Sequence, residues 1–544
     1  MERSMDMYIS SVKIENYRTF KDVIFLFDSQ MNIIVGDNNI GKTNFLNLLK
    51  VITSGDKFHY NDFRDLHKAI CIFIELSMED FSLPNTLKIQ WEQYPTDVEP
   101  TLYDAKTKET IPLSYIHNLF YIDFSLENLV KNIQEDRNFN RIHQAFKQYL
   151  SSGEHARVHV QNWLLTIGEE TRLPIDSNKA AQEVLDRIYG RNRQEELPVL
   201  QLMMAVGCQL IGELFSRKQH KNSLFEETLV EDKEGYKVLP LMVSIDDPEM
   251  HLHPYLQRAV LEFLKSILNN EEPFFVELIK SILQIDGLNG QLFVVTHSTD
   301  ALIDDYRQII RLHWDSEHHV QAACGAGFKF DGEIEKHLIM HFPEVKEAMY
   351  AKCALIVEGE TEYGSFPYFA KTLGFNFDYY GICLINARGE HSISKISHLL
   401  SSFHIPTVCF YDRDVMEEHD DTSFYTEYIC YEMDIVKTCI EQRKQNLLLD
   451  VIQQVEANST HISSSLIKKA CQKLCIPKSQ YNPRKLENIS PRAEKQLCFY
   501  YFAWLYGHKG VIIGRSLGLH LGKHEIPTSF KNVILQAISK SIHV

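Results

Sequence analysis

The stretch Cys353-Ala-Leu-Ile-Val-Glu-Gly-Glu-Thr-Glu362 is an apolar run of strand length that ends on acid, glycine and two further acids. As a buried strand it lifts Glu358 to the carboxyl edge of a sheet. Gly359 permits the tight exit turn, and a helix beginning near Thr361 carries Phe366, Phe369 and Leu373 on its inner face. Glu358 and Glu362 then face one small space. Two carboxylates converging at a strand end suit Mg²⁺ or Mn²⁺, because hard cations take oxygen ligands. Taken alone, the segment is equally an ordinary strand-to-helix turn with solvated acids.

On its C-terminal side, Gly381 to Ile385 reads as a strand, Ser392 to Ser402 as a helix, and Thr407 to Tyr411 as a strand ending in Asp412-Arg-Asp414. Strands alternating with helices predict a parallel sheet whose functional edge lies at the carboxyl ends of the strands. On its N-terminal side, Gly325, Gly327 and Asp331-Gly332 mark turns before the amphipathic segment Ile334 to Ala351. A domain limit is expected there, giving 1–345 and 346–544.

The chain has 544 residues, 44% hydrophobic and 24% charged, which is long enough for two to four domains and argues against extensive disorder. No apolar stretch is expected to reach the roughly 20 residues needed to span a bilayer, and the N-terminus lacks a secretory pattern, so the expected setting is cytoplasmic with no membrane partner. Eleven cysteines in apolar or helical contexts read as reduced packing residues; Cys471 and Cys475, four apart, read as one face of a helix. A net charge of −17 excludes nucleic-acid binding over the whole surface and leaves only a local basic patch for it.

The first half opens with alternating strands around Ile9, Val12 and Ile14 and around Val23 to Phe27, then Asn32 to Val35 running into Gly36-Asp-Asn-Asn-Ile-Gly-Lys-Thr43. Between a strand and a helix this is a phosphate-binding loop. Gly36, Asn39 and Gly41 shape the turn, Lys42 reaches the β and γ oxygens of ATP, and Thr43 ligates Mg²⁺. Further on, Leu241 to Ser244 leads to Asp246-Asp-Pro-Glu-Met-His-Leu-His-Pro254. Asp246 is expected at the Mg²⁺ and Asp247 where an acid positions attacking water. Gln291 to Ser298 is a further strand, ending in His297, suited to a γ-phosphate. His251 and His253 read as structural, the span of about 120–235 as a helical insertion, and Arg217 to Lys221 as a solvated loop.

The order of these motifs, with Ile14 to Phe20 before them, resembles ABC-type ATPase heads of the RecF/SMC kind, which implies ATP sandwiched between two heads of a homodimer. Two departures stand out: Asp247 is one methylene shorter than the usual Glu, and Leu197 to Gln201 stands where a small-residue signature is expected. Glu358 with Asp412 and Asp414 resembles the Toprim arrangement. Together with the head, the chain is similar to OLD-family nucleases, including Gabija A-type and retron-associated defence proteins.

That resemblance implies an α/β chain with a helical extension after the Toprim sheet, and a DNA endonuclease dependent on Mg²⁺ or Mn²⁺ and regulated by ATP, in phage defence. Glu358, Glu362, Asp412 and Asp414 match the family's metal ligands, Glu432 or Asp434 its later acid, and Lys509, in Gly507-His-Lys-Gly510, its active-site lysine. Paired cations would activate water and stabilise the leaving oxygen, and Lys509 would neutralise charge on the phosphate. The basic interval with Lys468, Lys469, Lys473, Lys478, Arg484 and Lys485 is the candidate DNA contact. An accessory defence protein or retron nucleic acid is a further implied partner. The rival expectation is a nucleotide-gated DNA clamp with little chemistry of its own.

Overall fold

The alternation near the N-terminus folds as β1 (Asp6–Tyr17) paired antiparallel with β2 (Phe20–Leu26). Ile9, Val12 and Ile14 are all fully buried although the first two are three positions apart, an odd spacing that would put them on opposite faces. The β1 register against β4 (Ile70–Glu79) shifts between Ile9 and Ser11, and that bulge returns Val12 to the inner face. With β5 (Thr86–Gln93) and β6 (Thr101–Asp104) these strands form a five-stranded antiparallel sheet in the order β2-β1-β4-β5-β6. The computed structural model describes residues 6–54, 56–79, 86–111, 120–124, 137–169, 172–189, 199–220, 222–231, 234–250, 252–302, 305–330, 332–414, 423–455 and 460–542.

A second sheet carries the nucleotide motifs. β3 (Met31–Gly36), β7 (Phe120–Asp123), β9 (Lys237–Asp246), β10 (Gly287–Val295) and β11 (Ile309–Trp314) run parallel in the order β11-β3-β10-β9-β7. β12 (Val320–Cys324) closes one edge antiparallel, and the two-residue β8 (Val230–Glu231) pairs with β9. β3, β9 and β10 read as near-continuous apolar runs because both faces are covered. Gln291 on β10 stitches the two sheets together, accepting from the Ile9 amide at 3.2 Å and donating to the Ile9 carbonyl at 3.1 Å.

After β3 comes α1 (Lys42–Ser54). Among the described residues the helices of the 120–235 span are α2 (Arg137–Leu150), α3 (Glu154–Thr166), α4 (Ser177–Ile188), α5 (Val199–His220) and α6 (Asn222–Glu227), followed by α7 (Pro254–Leu268) and α8 (Pro273–Leu283). Leu126, Leu129, Val130, Ile133, Leu197, Lys221 and His251 lie outside the described residues. Arg217 lies in the last turn of α5 and not in a loop. The expectation that no apolar segment approaches membrane-spanning length is corrected by α5, whose 22 residues with a mean hydropathy of 1.5 pass that test. Two thirds of this span is buried inside the protein, as a core helix would be. A side chain at Gly207 would strike the Phe275 ring of α8 and one at Gly212 would strike Ile142 of α2, so close packing within the protein accounts for its composition.

The chain divides into two compact units, Met1–Phe328 and Lys329–Val544. The expected limit near residue 345 falls inside α9 (Gly332–Ala348), which belongs to the second unit. There, β13 (Cys353–Val357), β14 (Ile382–Asn386), β15 (Thr407–Tyr411) and β16 (Ser423–Tyr425) form a wholly parallel sheet in the order β14-β13-β15-β16. α10 (Glu360–Leu373) follows β13 directly, with Phe366 and Phe369 fully buried. α11 (Phe377–Tyr380) and α12 (Glu390–Ser402) flank β14.

The remainder is helical: α13 (Tyr431–Glu441), α14 (Gln445–Val455), α15 (Ser464–Lys473), α16 (Glu494–Gly507), α17 (Val511–His520) and α18 (Thr528–Ile542), with a short antiparallel pair β17 (His461–Ile462) and β18 (Arg484–Lys485). Phe530 of α18 packs among Phe366, Phe410 and Tyr431, so the last helix is part of the sheet's own core. All eleven cysteines are free thiols.

Candidate active site

In the first unit, β3, β10 and β9 are neighbours in register, so the phosphate-binding loop, His297 and Asp246 emerge together at the carboxyl edge. Gly36 has φ +145°, and a Cβ there would stand 2.7 Å from the Leu312 carbonyl oxygen. Gly41 has φ +122°, and its Cβ would stand 2.3 Å from Thr19 Oγ1. Only glycine fits at either position. Lys42 Nζ donates to the carbonyls of Gly36 and Asp37 at 2.9 and 2.8 Å. Burial lowers its pKa, against the opposing pull of Asp247, Asp37, Asp246 and Glu249. The Thr43 hydroxyl hydrogen-bonds the Asp246 carboxylate, whose pKa is nevertheless raised by desolvation and by Asp247.

Asp247 adopts left-handed backbone, φ +48°, with its amide donating to the Val295 carbonyl at 2.9 Å. Its Oδ1 is buried with no hydrogen-bond partner among the described residues. Glu249, which sequence reasoning passed over, accepts from Thr296 Oγ1 at 2.8 Å and from the His297 amide at 2.6 Å. It fixes the end of β10 to the turn after β9, leaving the His297 ring exposed. Arg18, in the turn of the opening motif, pairs with Asp62 at 2.7 Å and donates to Asn44 of α1 at 2.9 Å, which explains why that motif accompanies the loop.

In the second unit, Glu358 and Asp412 stand just beyond the ends of adjacent parallel strands, and the Asp412 amide donates to Glu358 Oε2 at 3.4 Å. Asp412 Oδ1 accepts from the Tyr431 amide at 2.9 Å, at the positive N-terminus of α13. Glu362, in the first turn of α10, and Glu432, in the first turn of α13, are almost wholly buried. Burial and then neighbouring carboxylates push Glu362 up to about 7 and Asp412 up to about 9. Glu358 is raised too, mainly by desolvation. Four acids thus share a space short of positive charge.

Lys509 supplies the charge that is there. Its Nζ stands 3.1 Å from Glu432 Oε1; burial disfavours the ammonium, but Glu432, Asp412 and Glu362 outweigh it and raise the lysine above its ordinary range. The loop bearing Lys509 is tied down where the Gly510 amide donates to Thr361 Oγ1 at 3.1 Å. Next to it, α17 lies so close on α10 that a Cβ at Gly514 would stand 2.1 Å from the Thr361 carbonyl oxygen, and one at Gly364 would stand 2.4 Å from that of Val511. Side-chain-free positions on both helices therefore set the approach of the lysine to the acids.

Among the described residues no group of three or more His, Cys, Asp or Glu side chains stands arranged to hold a metal ion. The donor set nonetheless fits a hard divalent cation. Glu432 Oε2 is buried with no hydrogen-bond partner among the described residues and Oε1 meets only the Lys509 ammonium at 3.1 Å, so the carboxylate keeps an unmatched oxygen, which is costly unless a further cation meets it. Glu358, Glu362, Asp412 and Glu432 are the residues that would hold such an ion, all through oxygen.

The family model for the Overcoming lysogenization defect protein-like TOPRIM domain matches residues 349–414. The AAA ATPase domain model matches residues 7–164, and a second AAA-domain model matches 230–304. The chain thus joins an AAA-type ATPase region to an OLD-like Toprim domain. Among curated relatives, DNA replication and repair protein RecF of Oenococcus oeni is 26% identical over 23% of this chain and 32% of its own length. RecF of Alkaliphilus oremlandii is 24% identical over 36% of the chain and 57% of its own length, so the match spans only part of each relative. Among solved structures, an SMC head bound to the C-winged helix domain of ScpA covers 58% of the chain and 96% of its own (14% identity, TM-score 0.34). The C-terminal region of the Burkholderia pseudomallei OLD protein covers 35% and 99% (14% identity, TM-score 0.23).

The remaining acids have separate fates. Asp414, 36% exposed, is ion-paired with Lys473. Asp434 accepts from the Glu427 and Tyr428 amides, each at 2.7 Å, and from Ser529 Oγ at 2.7 Å, which buttresses the turn before α13 against α18. Glu432 thus stands with the other acids and the Lys509 ammonium, whereas Asp434 is taken up by backbone amides and Ser529. In the basic interval Lys468, Lys469, Lys478 and Lys485 are exposed, whereas Lys473 and Arg484 lie against tyrosine rings.

Proposed function

We propose that the protein is an ATP-regulated, divalent-metal-dependent DNA endonuclease, hydrolysing phosphodiester bonds at the Toprim acids and serving in phage defence. The observation that carries this reading is the buried quartet Glu358, Glu362, Asp412 and Glu432 with Lys509 at its edge, the first three raised in pKa and Glu432 Oε2 without a hydrogen-bond partner among the described residues. A bound Mg²⁺ or Mn²⁺ would activate water and stabilise the leaving oxygen. The residues' own parts follow from position. Asp412 is held by the α13 amide and lends its own amide to Glu358, which keeps the two strand ends together. Lys509 presents positive charge where the phosphate becomes more negative. In the head, Lys42, Thr43 and Asp246 bind ATP and its Mg²⁺, Asp247 and His297 face the γ-phosphate, and the heads pair as a homodimer. The resemblance supports the defence role, an accessory partner and a cytoplasmic setting.

The test is nicking of supercoiled plasmid under titration of Mg²⁺ and Mn²⁺, with and without ATP. Wild type should nick, and Glu358→Ala and Asp412→Ala should not while still binding ATP. Cleavage by Asp412→Ala at the wild-type rate overturns the site. The rival reading, a nucleotide-gated DNA clamp without chemistry, draws on the fact that the described acids are not gathered as a ready-made ligand set. It predicts ATP-dependent DNA retention and no nicking in either metal.

A further inference from the structure

Tyr506, in the last turn of α16, has two ammonium groups against its ring. Lys509 Nζ lies 4.8 Å from the ring centroid and Lys473 Nζ 5.8 Å. The two lysines come from different segments, the last residue of α15 and the loop after α16. Each ammonium is also paired with an acid, Lys509 with Glu432 and Lys473 with Asp414. A lysine in the last turn of a helix is ordinarily solvated, yet the Lys473 side chain is only 19% exposed. The ring itself is fixed by stacking on Phe502 one turn earlier, centroids 5.2 Å apart and planes 20° apart.

We propose that Lys473, Tyr506 and Lys509 form a clamp for consecutive phosphates of one DNA strand, with Tyr506 as the positioning residue that keeps both ammoniums at the rim of the acid cluster. The proposal rests on the nuclease reading for its location and goes beyond it by naming how the strand is gripped. Its physical basis is the shared ring. An aromatic face attracts a cation without carrying charge, so it holds the ammoniums whatever the acids are doing. Glu432, the other partner of Lys509, belongs to the acidic set that would hold a divalent cation, and Asp414, the other partner of Lys473, lies two residues from Asp412 of that set. Were a cation to meet that charge, Lys509 would give up its ion pair with Glu432 while the ring still held both ammoniums. Two cations held beside the acids are then matched by phosphates on either side of the bond to be cut. Strand binding and divalent-cation binding are therefore coupled positively, each strengthening the other.

The experiment measures binding of a short fluorescein-labelled single-stranded DNA to the full chain by anisotropy, in Ca²⁺ and in EDTA, across a salt series. Wild type should bind at least about threefold tighter in Ca²⁺. Lys473→Gln should flatten the plot of log affinity against log salt by about 0.7, one phosphate contact on a single strand. Tyr506→Phe should match wild type, and Tyr506→Leu should bind about three- to tenfold more weakly. An unchanged salt slope in Lys473→Gln, or Tyr506→Phe as weak as Tyr506→Leu, overturns the clamp. Should Tyr506→Leu fail to fold, the Lys473→Gln slope decides. A wild type that binds with these slopes but never nicks plasmid keeps the clamp and loses the nuclease; one that nicks while the variants bind unchanged does the reverse.

Discussion

The Asp412 amide donates to Glu358 Oε2, so two neighbouring strand ends share one carboxylate and neither acid can shift without the other. Asp412 is also buried and uncharged polar replacements keep its shape. Asp412→Asn should therefore stabilise the cation-free protein by about 1–2 kcal/mol near neutral pH, because the fold no longer has to keep a buried carboxyl protonated among other acids. It should also abolish any rise in melting temperature on adding Mn²⁺. Calorimetry with and without Mn²⁺ checks both, and a variant that still gains stability from Mn²⁺ removes Asp412 from the ligand set.

The raised carboxyls give a pH dependence of definite sign. Glu362 and Asp412 titrate higher in the folded chain than the roughly 4 of an unfolded one, so the folded state binds more protons in between. The stability these two groups contribute in EDTA should be fully present below about pH 4 and be lost as pH rises from there, Glu362's share by about 7 and Asp412's by about 9, with a slope of about 1.4 kcal/mol per pH unit for each proton retained. Urea unfolding at three pH values measures it. Divalent cations should flatten the loss, since they take the protons' place; stability that rises over that range contradicts the buried quartet.

Asp434 should behave as a structural acid. Asp434→Ala deletes three hydrogen bonds, two of them to backbone amides, and should cost about 2–4 kcal/mol in urea unfolding. Mn²⁺ bound per folded molecule, measured by equilibrium dialysis, should stay at the wild-type value. A halved stoichiometry would make Asp434 a ligand after all.

Gly514→Ala tests the helix pair that presents Lys509. The new methyl would meet the Thr361 carbonyl and push α17 off α10, costing about 1–3 kcal/mol. Nicking should fall at least tenfold while ATP binding by the first unit is unchanged. Wild-type cleavage in a stably folded Gly514→Ala would show that this contact does not set the lysine.

In the head, Glu249→Gln should disturb the turn more than the loop. It weakens the bonds to Thr296 and the His297 amide, at a cost of about 1–2 kcal/mol, and leaves Lys42 and Thr43 in place. ATP should bind within a fewfold of wild type, whereas Lys42→Ala should lose it; fluorescent-nucleotide titration of the two variants separates these roles.

Much of this architecture was legible because strand periodicity and glycine placement are local. Cys353 to Val357, the phosphate-binding loop and the strands to Asp246 and Val295 each announce themselves within a dozen residues. Resemblance, not periodicity, nominated Lys509, and nothing local separates Glu432 from Asp434, two residues apart on one helical turn. Which of them faces the acids depends on Tyr428, Ser529 and the direction of α13, all set by tertiary packing. Glu249 was missed because its partners, Thr296 and His297, lie 47 and 48 residues away. The apolar reach of α5 was underestimated for the opposite reason: its glycines look like interruptions in sequence and act as contact points once α2 and α8 are packed on it.

The Toprim match ends at residue 414, yet the lysine, the later acid and the helix that buttresses them all come afterwards. A fragment trimmed to the matched boundaries would keep Glu358, Glu362 and Asp412 and lose Lys509, Phe530 and Ser529. Such a fragment would be electrically unbalanced, its acids having neither counter-charge nor the apolar backing that holds them close. Modular as the fold looks along the chain, the acid cluster is indivisible, and a piece cut out to study it has to run to α18.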